Sequence, residues 1–304
     1  MKVVILGGYG FIGSHLAGVL LERGVQVRIF DKPDADPTRI EHIAGKVEIV
    51  EGDLAVEDDV ARAVDDMEVV VHLACASLPA SSNENITYDL ESNLIGTVRM
   101  IERSLRAGVR RVVFTSSGGT VYGPVKKVPI PEDHPTEPIC SYGIHKLAIE
   151  KYLALFERLH GLEWTALRPS NPYGKKQRHD SAQGAVSVFA NMIKKGKTIT
   201  IWGDGSVVRD YFHITDMVNA CVKVIETAPP SRIYNIGAGE GVNLNQLIES
   251  FAKASGIKPK VVYEPARPLD VPENVLDISR AKSELGWEPK VSLEEGLKEY
   301  FEED

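Results

Sequence analysis

The 304-residue chain carries 26% charged residues and a net charge of −8. That is long enough for a two-part α/β protein with a buried core, and it excludes a general nucleic-acid or anionic-membrane binder. With no long apolar run, no signal-like N-terminus and no metal-ligand spacing around Cys75, Cys140 and Cys221, the expectation is a soluble cytoplasmic protein with reduced thiols and no metal.

Residues 2–6 form a short β-rich apolar run, as in a buried parallel strand. Gly7-Gly8-Tyr9-Gly10-Phe11-Ile12-Gly13 follows at once, then residues 14–23 with apolar side chains at helical spacing. Glycines between a strand and a helix give a dinucleotide fingerprint its context. Gly7 permits the tight turn, Gly10 lets backbone approach a pyrophosphate, and Gly13 lets the helix pack on the strand. The phosphates would meet the free N–H groups of that helix. A second strand, 25–30, ends in Asp31, whose carboxylate suits two ribose hydroxyls and repels a 2′-phosphate; this favours NAD over NADP, with Lys32 offsetting part of the repulsion. Asp53 ends a third strand, 47–50, placed either to read an adenine amine or to cap a helix starting near Glu57. A fourth strand, 69–71, runs into His72-Leu73-Ala74-Cys75-Ala76, where small residues leave room for a flat cofactor. Cys75 and Cys140 are read as small packing residues, since nothing adjacent activates them.

Helices are predicted at 56–66, 87–107 and 141–160, and strands at 111–115 and 164–168. This alternation predicts a parallel sheet with helices on both faces. Beyond Arg168-Pro169 the pattern loosens into a polar loop at 175–183, helices near 184–195, 215–227 and 243–255, and strands at 198–202, 232–236 and 260–263. Two helices are expected around Trp287-Glu288-Pro289. The predicted domains are 1–169 for the dinucleotide and 170–304 for substrate, with about 206–236 returning to the first.

Tyr142 and Lys146 are four residues apart, so they share a helix face. A free phenol, with a pKa near roughly 10, is a poor base at neutral pH. Lys146 and an oxidised nicotinamide would both favour the phenolate. The spacing also occurs on ordinary solvated helices; its meaning comes from the motifs around it.

Those motifs run nearly end to end: Gly7-Gly8-x-Gly10-x-x-Gly13, Asp31, Gly52-Asp53, His72-Leu73-Ala74, Asn93-Leu94-Ile95-Gly96-Thr97, Thr115-Ser116-Ser117-Gly118-Gly119-Thr120-Val121-Tyr122-Gly123 and Tyr142-x-x-x-Lys146. Leu167–Gly174, Trp202-Gly203-Asp204-Gly205, Arg209-Asp210-Tyr211, Asn235-Ile236-Gly237, Arg267-x-x-Asp270 and Leu285-Gly286-Trp287 complete the set. The chain thereby resembles the extended short-chain dehydrogenase/reductase family, in its nucleotide-sugar epimerase/dehydratase branch. The resemblance implies a doubly wound Rossmann domain with a smaller α/β C-terminal substrate domain. It implies NAD held by Gly7, Gly10, Phe11, Ile12, Gly13, Asp31, Lys32, Asp53, Leu54, Leu73, Ala74, Ala76, Asn93, Thr115, Tyr142, Lys146 and Pro169. Tyr142 would be the acid/base and Lys146 would hold the nicotinamide ribose and tune it. The position that usually carries the hydroxyl partner is Gly118 here, so Ser117 is favoured for that role and Thr120 is second.

Related 4,6-dehydratases carry an Asp-Glu pair in this segment and related decarboxylases a Glu; Gly119-Thr120 has neither. The resemblance therefore implies 4-epimerisation of a UDP-linked hexose, N-acetylhexosamine or uronate, with a same-family reductase or a non-catalytic dinucleotide sensor as alternatives. Asn171, Trp202, Arg209, Arg267, Asp270 and Asn274 would contact that substrate, together with Ser117 and Tyr142. Arg209 and Arg267 would pair with the diphosphate. Asn274 stands where galactose epimerases often carry a bulky Tyr, which suggests room for a 2-acetamido group. Phe189 is read as core, and Lys175, Lys176, Arg178 and His179 mainly as a solvated loop. A homodimer through 87–107 and 141–160 is expected.

Overall fold

A computed structural model describes residues 1–179, 184–227, 229–266 and 271–302. In chain order the elements are β1 (Lys2–Leu6), α1 (Phe11–Glu22), β2 (Gln26–Asp31), a 3-10 segment (Pro37–Lys46), β3 (Glu48–Glu51), α2 (Glu57–Val64) and β4 (Val69–His72). Next come α3 (Ile86–Asp89), a π-helical segment (Leu90–Ile95), α4 (Gly96–Arg106), β5 (Arg111–Thr115), α5 (Ser141–His160) and β6 (Glu163–Pro169). They are followed by β7 (Asn171–Tyr173), α6 (Ala185–Lys194), β8 (Thr198–Trp202), β9 (Val208–Arg209), β10 (Tyr211–His213), α7 (Ile214–Glu226) and β11 (Ile233–Ile236). The chain closes with β12 (Val242–Asn243), α8 (Leu244–Ser255), β13 (Lys260–Glu264), β14 (Glu273–Asn274), α9 (Ser279–Leu285) and α10 (Leu293–Lys298).

The chain divides into two compact units. The first comprises Met1–Gly123, Pro135–Arg168 and Val218–Tyr234; the second comprises Pro124–His134, Pro169–Met217 and Asn235–Asp304. The central sheet has the order β11-β6-β5-β4-β1-β2-β3 and is parallel at every pairing from β3 to β6. Val3 to Leu6 and Val70 to Val71 are fully buried, because helices cover both faces of a parallel sheet. The carboxyl ends of β1, β2, β4 and β5 present Gly7, Asp31, Leu73 and Ser116 along one edge, where ligands bind in such folds.

Two glycines are fixed by close approach. Gly7 has φ +87°, and a Cβ there would lie 2.8 Å from the Ala74 nitrogen; a Cβ on Gly13 would lie 2.4 Å from the Gly7 carbonyl oxygen. The helix predicted over 87–107 is three pieces, because a π-helical segment interrupts it at Leu90–Ile95. The buried Asn93 draws it inward: its amide nitrogen donates to the Asp89 carbonyl and carboxylate, and its oxygen accepts the Ala76 N–H at 2.8 Å. Such wide turns recur at functional sites.

The second unit has its own core, in which Phe189, Ile199, Ile201, Leu247 and Phe251 pack together. Its short strands pair as β10 with β7, β12-β9-β14, and β13 with β8. The short strands β7, β9, β10, β12 and β14 have no periodicity of their own and were not predicted. Among the described residues no helix is long and apolar enough to cross a membrane.

Candidate active site

In the first unit a cavity of about 340 Å³ is lined by Gly7, Gly10, Asp31, Lys32, Asp53, Leu54, Leu73, Ala74, Cys75, Ala76 and Asn93. Ten of these are among the predicted cofactor residues. Gly10 is the N-cap of α1, and Phe11, Ile12 and Gly13 form its first turn, whose N–H groups no helix can satisfy internally. Asp31 accepts the Tyr9 N–H at 2.9 Å and its own neighbour's N–H at 2.9 Å, while burial pushes its carboxyl above the usual range. Lys32 pairs with Asp53 at 3.0 Å rather than standing free against Asp31. Asp53 accepts the Ala55 N–H, and the residue capping α2 is Val56, so the capping alternative for Asp53 does not hold. A glycine cradle, a helix N-terminus and an acidic residue at the end of β2 fit a dinucleotide.

Tyr142 and Lys146 lie on the first turns of α5. The Tyr142 N–H donates to Ser82 Oγ at 3.1 Å and the Ser141 N–H to Asn83 Oδ1 at 2.9 Å, so the loop after β4 fixes the start of the helix. Lys146 Nζ donates to the Thr115 carbonyl at 2.8 Å and lies 5.5 Å from the Tyr142 ring centre. Among the described residues no group bonds the Tyr142 hydroxyl. Burial pushes that phenol upward, and the negative charges of Cys75, Cys140 and Asp89 add to the rise. The lowering expected from Lys146 together with an oxidised nicotinamide concerns the loaded site. In the protein alone Lys146 is itself pushed down by burial, and only a further cation beside the phenol can favour its ionised form.

Ser117 is half-buried, whereas Thr120 Oγ1 is sealed from solvent and has no hydrogen-bond partner. Thr120 also packs on the active helix: a Cβ on Gly143 would lie 2.8 Å from its carbonyl oxygen. Thr115 Oγ1 is likewise buried and unpaired. Pro169 is buried at the end of β6.

The second unit holds a cavity of about 380 Å³ lined by Asn171, Phe189, Trp202, Arg209, Tyr211 and Leu244, among others. Asn171 donates to the Asp210 carbonyl at 3.0 Å, and Arg209 Nη1 donates to the Val208 and Val271 carbonyls at 2.8 Å. Trp202 is 41% exposed on the cavity wall, while Phe189 is buried core that also reaches the wall. Asn274 is buried in β14 beside Arg209 and is not among the residues that line this cavity. Arg267 and Asp270 lie outside the described residues.

Residues 3–237 match the model of the NAD dependent epimerase/dehydratase family. The chain belongs to this family. It is 35% identical to the UDP-glucose 4-epimerase of Mycolicibacterium smegmatis, over 98% of this chain and 96% of that one. It is 34% identical to the dTDP-4-dehydro-6-deoxyglucose reductase of Escherichia coli, over 97% and 95%. The crystal structure of the Thermotoga maritima UDP-glucose 4-epimerase with UDP-glucose superposes with a TM-score of 0.93 at 37% identity, covering 99% of this chain and 97% of that one. Family membership makes NAD the cofactor. Two features that sequence reading missed are the unpaired Thr120 hydroxyl and the contacts of His145, one residue before Lys146; neither leaves a local signal.

Proposed function

We propose that the chain is an NAD-dependent nucleotide-sugar 4-epimerase acting on a UDP-linked hexose, N-acetylhexosamine or uronate through a transient 4-keto sugar. The observation that carries this reading is the Tyr142–Lys146 pair on α5, in a unit with a dinucleotide cavity and no carboxylate in the segment Gly118–Thr120. When bound, NAD would supply the hydride acceptor and donor for the sugar's C4. Tyr142 takes the proton of the 4-hydroxyl and gives it back. Lys146 holds the ribose and adds positive charge beside the ring. Gly10 to Gly13 receive the pyrophosphate and Asp31 the adenosine ribose.

No described residue bonds the side-chain hydroxyl of either Ser117 or Thr120; the Thr120 oxygen is the one sealed from solvent, where a missing partner is costly, and this supports Thr120 as the group that bonds the reacting hydroxyl. Thr120→Val should lower kcat by about 10- to 100-fold, while Ser117→Ala should change it by less than about 3-fold, in the range expected for loss of one transition-state hydrogen bond. Steady-state kinetics on both variants checks this. In the second unit, Arg209 takes the diphosphate, the exposed Trp202 face takes the base, and Asn171 adds a polar contact.

The protein works as a homodimer through α5. Ile144, Tyr152, Leu155 and Leu159 form an exposed apolar stripe at helical spacing along it, and Ile95 is exposed beside α4. A patch of this kind on a soluble protein marks an interface. Leu155→Arg should convert dimer to monomer in light scattering after gel filtration; an unchanged mass would refute the interface.

The reading is tested by incubating the protein, without added cofactor, with UDP-galactose, UDP-N-acetylgalactosamine and UDP-glucuronate, and following each by proton NMR. Interconversion of one with its 4-epimer supports it. Net consumption of reduced nicotinamide with release of a reduced sugar would favour a reductase, and tight NAD binding with no turnover a sensor.

A further inference from the structure

The epimerase reading leaves three side chains of the first unit unused. β4 runs out into Cys75, and α5 carries His145. The Cys75 sulfur lies 3.8 Å from His145 Nε2, and His145 Nδ1 lies 2.9 Å from Asp89 Oδ2. Asp89 is 1% exposed and also accepts from the Ser141 hydroxyl at 2.6 Å, the Asn93 amide at 2.9 Å and the Ser77 hydroxyl. Burial alone would raise the Asp89 carboxyl, but the hydrogen bonds from Ser141, Ser77 and His145 outweigh it and hold it below its usual range. The Cys75 thiol donates to the Ser77 carbonyl at 3.3 Å; an ionised Asp89 takes the Nδ1–H of His145, so that Nε2 can accept the thiol proton when it leaves that carbonyl. Nucleophile, base and orienting acid then stand in sequence.

Cys75 lines the same cavity as Gly7 and Asp31, and it is exposed there. Cys221, by contrast, is sealed in the core, where burial pushes its thiol up to about 12. Around Cys75, burial is opposed by the Lys146 ammonium and by His145, and the thiol is pushed down to about 7. The charged and titratable groups around it are Lys146, His145, Asp89 and Tyr142.

We propose that Cys75, His145 and Asp89 form an activated-thiol site in the wall of the cofactor cavity, which hydroperoxides oxidise reversibly. The thiol proton passes to His145 Nε2. The sulfur attacks one peroxide oxygen; an S–O bond forms and the O–O bond breaks. Sulfur loses two electrons and becomes the sulfenic acid, the peroxide gains them, and the departing oxygen takes the proton from His145. With hydrogen peroxide the product is water. A dithiol reverses the change by forming its own disulfide and water. The site does not depend on which sugar the enzyme turns over.

The test reads chemistry at each cysteine by peptide mass spectrometry, on the NAD-loaded and the stripped protein. Iodoacetamide at pH 7 should label Cys75 of the stripped protein more than 10-fold faster than Cys140, with a rate midpoint below the usual thiol range. His145→Asn keeps a donor to Asp89 and removes the Nε2 acceptor; in the folded protein it should slow Cys75 labelling about 10-fold and move the midpoint up by a unit or more. Hydrogen peroxide followed by dimedone should give one adduct, at Cys75, which prior dithiothreitol prevents. Labelling of Cys75 at the rate of Cys140, an unaltered profile in His145→Asn, or dimedone capture elsewhere would overturn the proposal.

Discussion

Tyr142→Phe should lose epimerase activity by about 10³-fold or more, the upper part of the range for removing a positioned general acid–base. The substitution deletes one oxygen that makes no hydrogen bond to any described residue, so the fold should be unaffected. The cofactor cavity is built from other residues, so NAD content should match that of the wild type. The loss should fall on kcat more than on KM, because the proton moves only as the sugar reacts. The pH dependence follows from the direction of the shift. Burial and nearby negative charge raise the phenol in the protein alone, so its ionised form is favoured only where positive charge is added beside it, and wild-type turnover should fall as pH drops. A Tyr142→Phe protein within 10-fold of wild type would remove Tyr142 from the chemistry.

Arg168→Ala should destabilise the fold by about 3–5 kcal/mol, the usual cost of stranding one partner of a buried ion pair. Arg168 and Glu150 are 2% and 1% exposed and make a two-pronged pair at 2.9 and 2.6 Å. The Ser116 hydroxyl donates to the same carboxylate at 2.5 Å, and Arg168 Nη1 donates to the Tyr122 hydroxyl at 2.9 Å. Glu150 sits one turn beyond Lys146 on α5, so this network ties the helix carrying the reacting groups to β5 and β6. Alanine takes the guanidinium away from the buried Glu150 carboxylate, which keeps the Ser116 hydroxyl. At roughly 2–4 °C per kcal/mol for a chain approaching this size, the thermal midpoint should drop by about 10 °C. The double variant Arg168→Met/Glu150→Leu should recover much of the loss, since apolar replacement of a whole buried pair is often near neutral. Calorimetry separates the cases, and an Arg168→Ala protein with an unchanged midpoint would refute the network's role.

The sequence made the sheet legible because its signals are local. A β-rich run before Gly7, an acid at the end of β2 and helical spacing through α5 each lie within one continuous stretch of chain, and the structure puts strands and helices there. Most of the predicted cofactor residues line one cavity for the same reason. What stayed hidden depends on juxtaposition across the chain. The contacts of Cys75 were not legible because His145 is 70 residues away and Asp89 stands just before a π-helical segment that has no periodicity of its own. Spacing reports that Lys146 shares a face with Tyr142, not that burial raises the phenol in the protein alone. Side-chain size at Asn274 could not reveal that β14 buries it beside β9. The choice between Ser117 and Thr120 rests on counting along a turn, which says nothing of which hydroxyl is sealed from solvent.

The central claim is that oxidation and re-reduction occur at one carbon with the same hydrogen. UDP-galactose deuterated at C4, incubated with the protein in ordinary water without added cofactor, tests it directly. The account predicts UDP-glucose with the deuterium still at C4 and no accumulation of reduced nicotinamide. Loss of the label to solvent, or reduced cofactor formed in step with a released keto sugar, would contradict it.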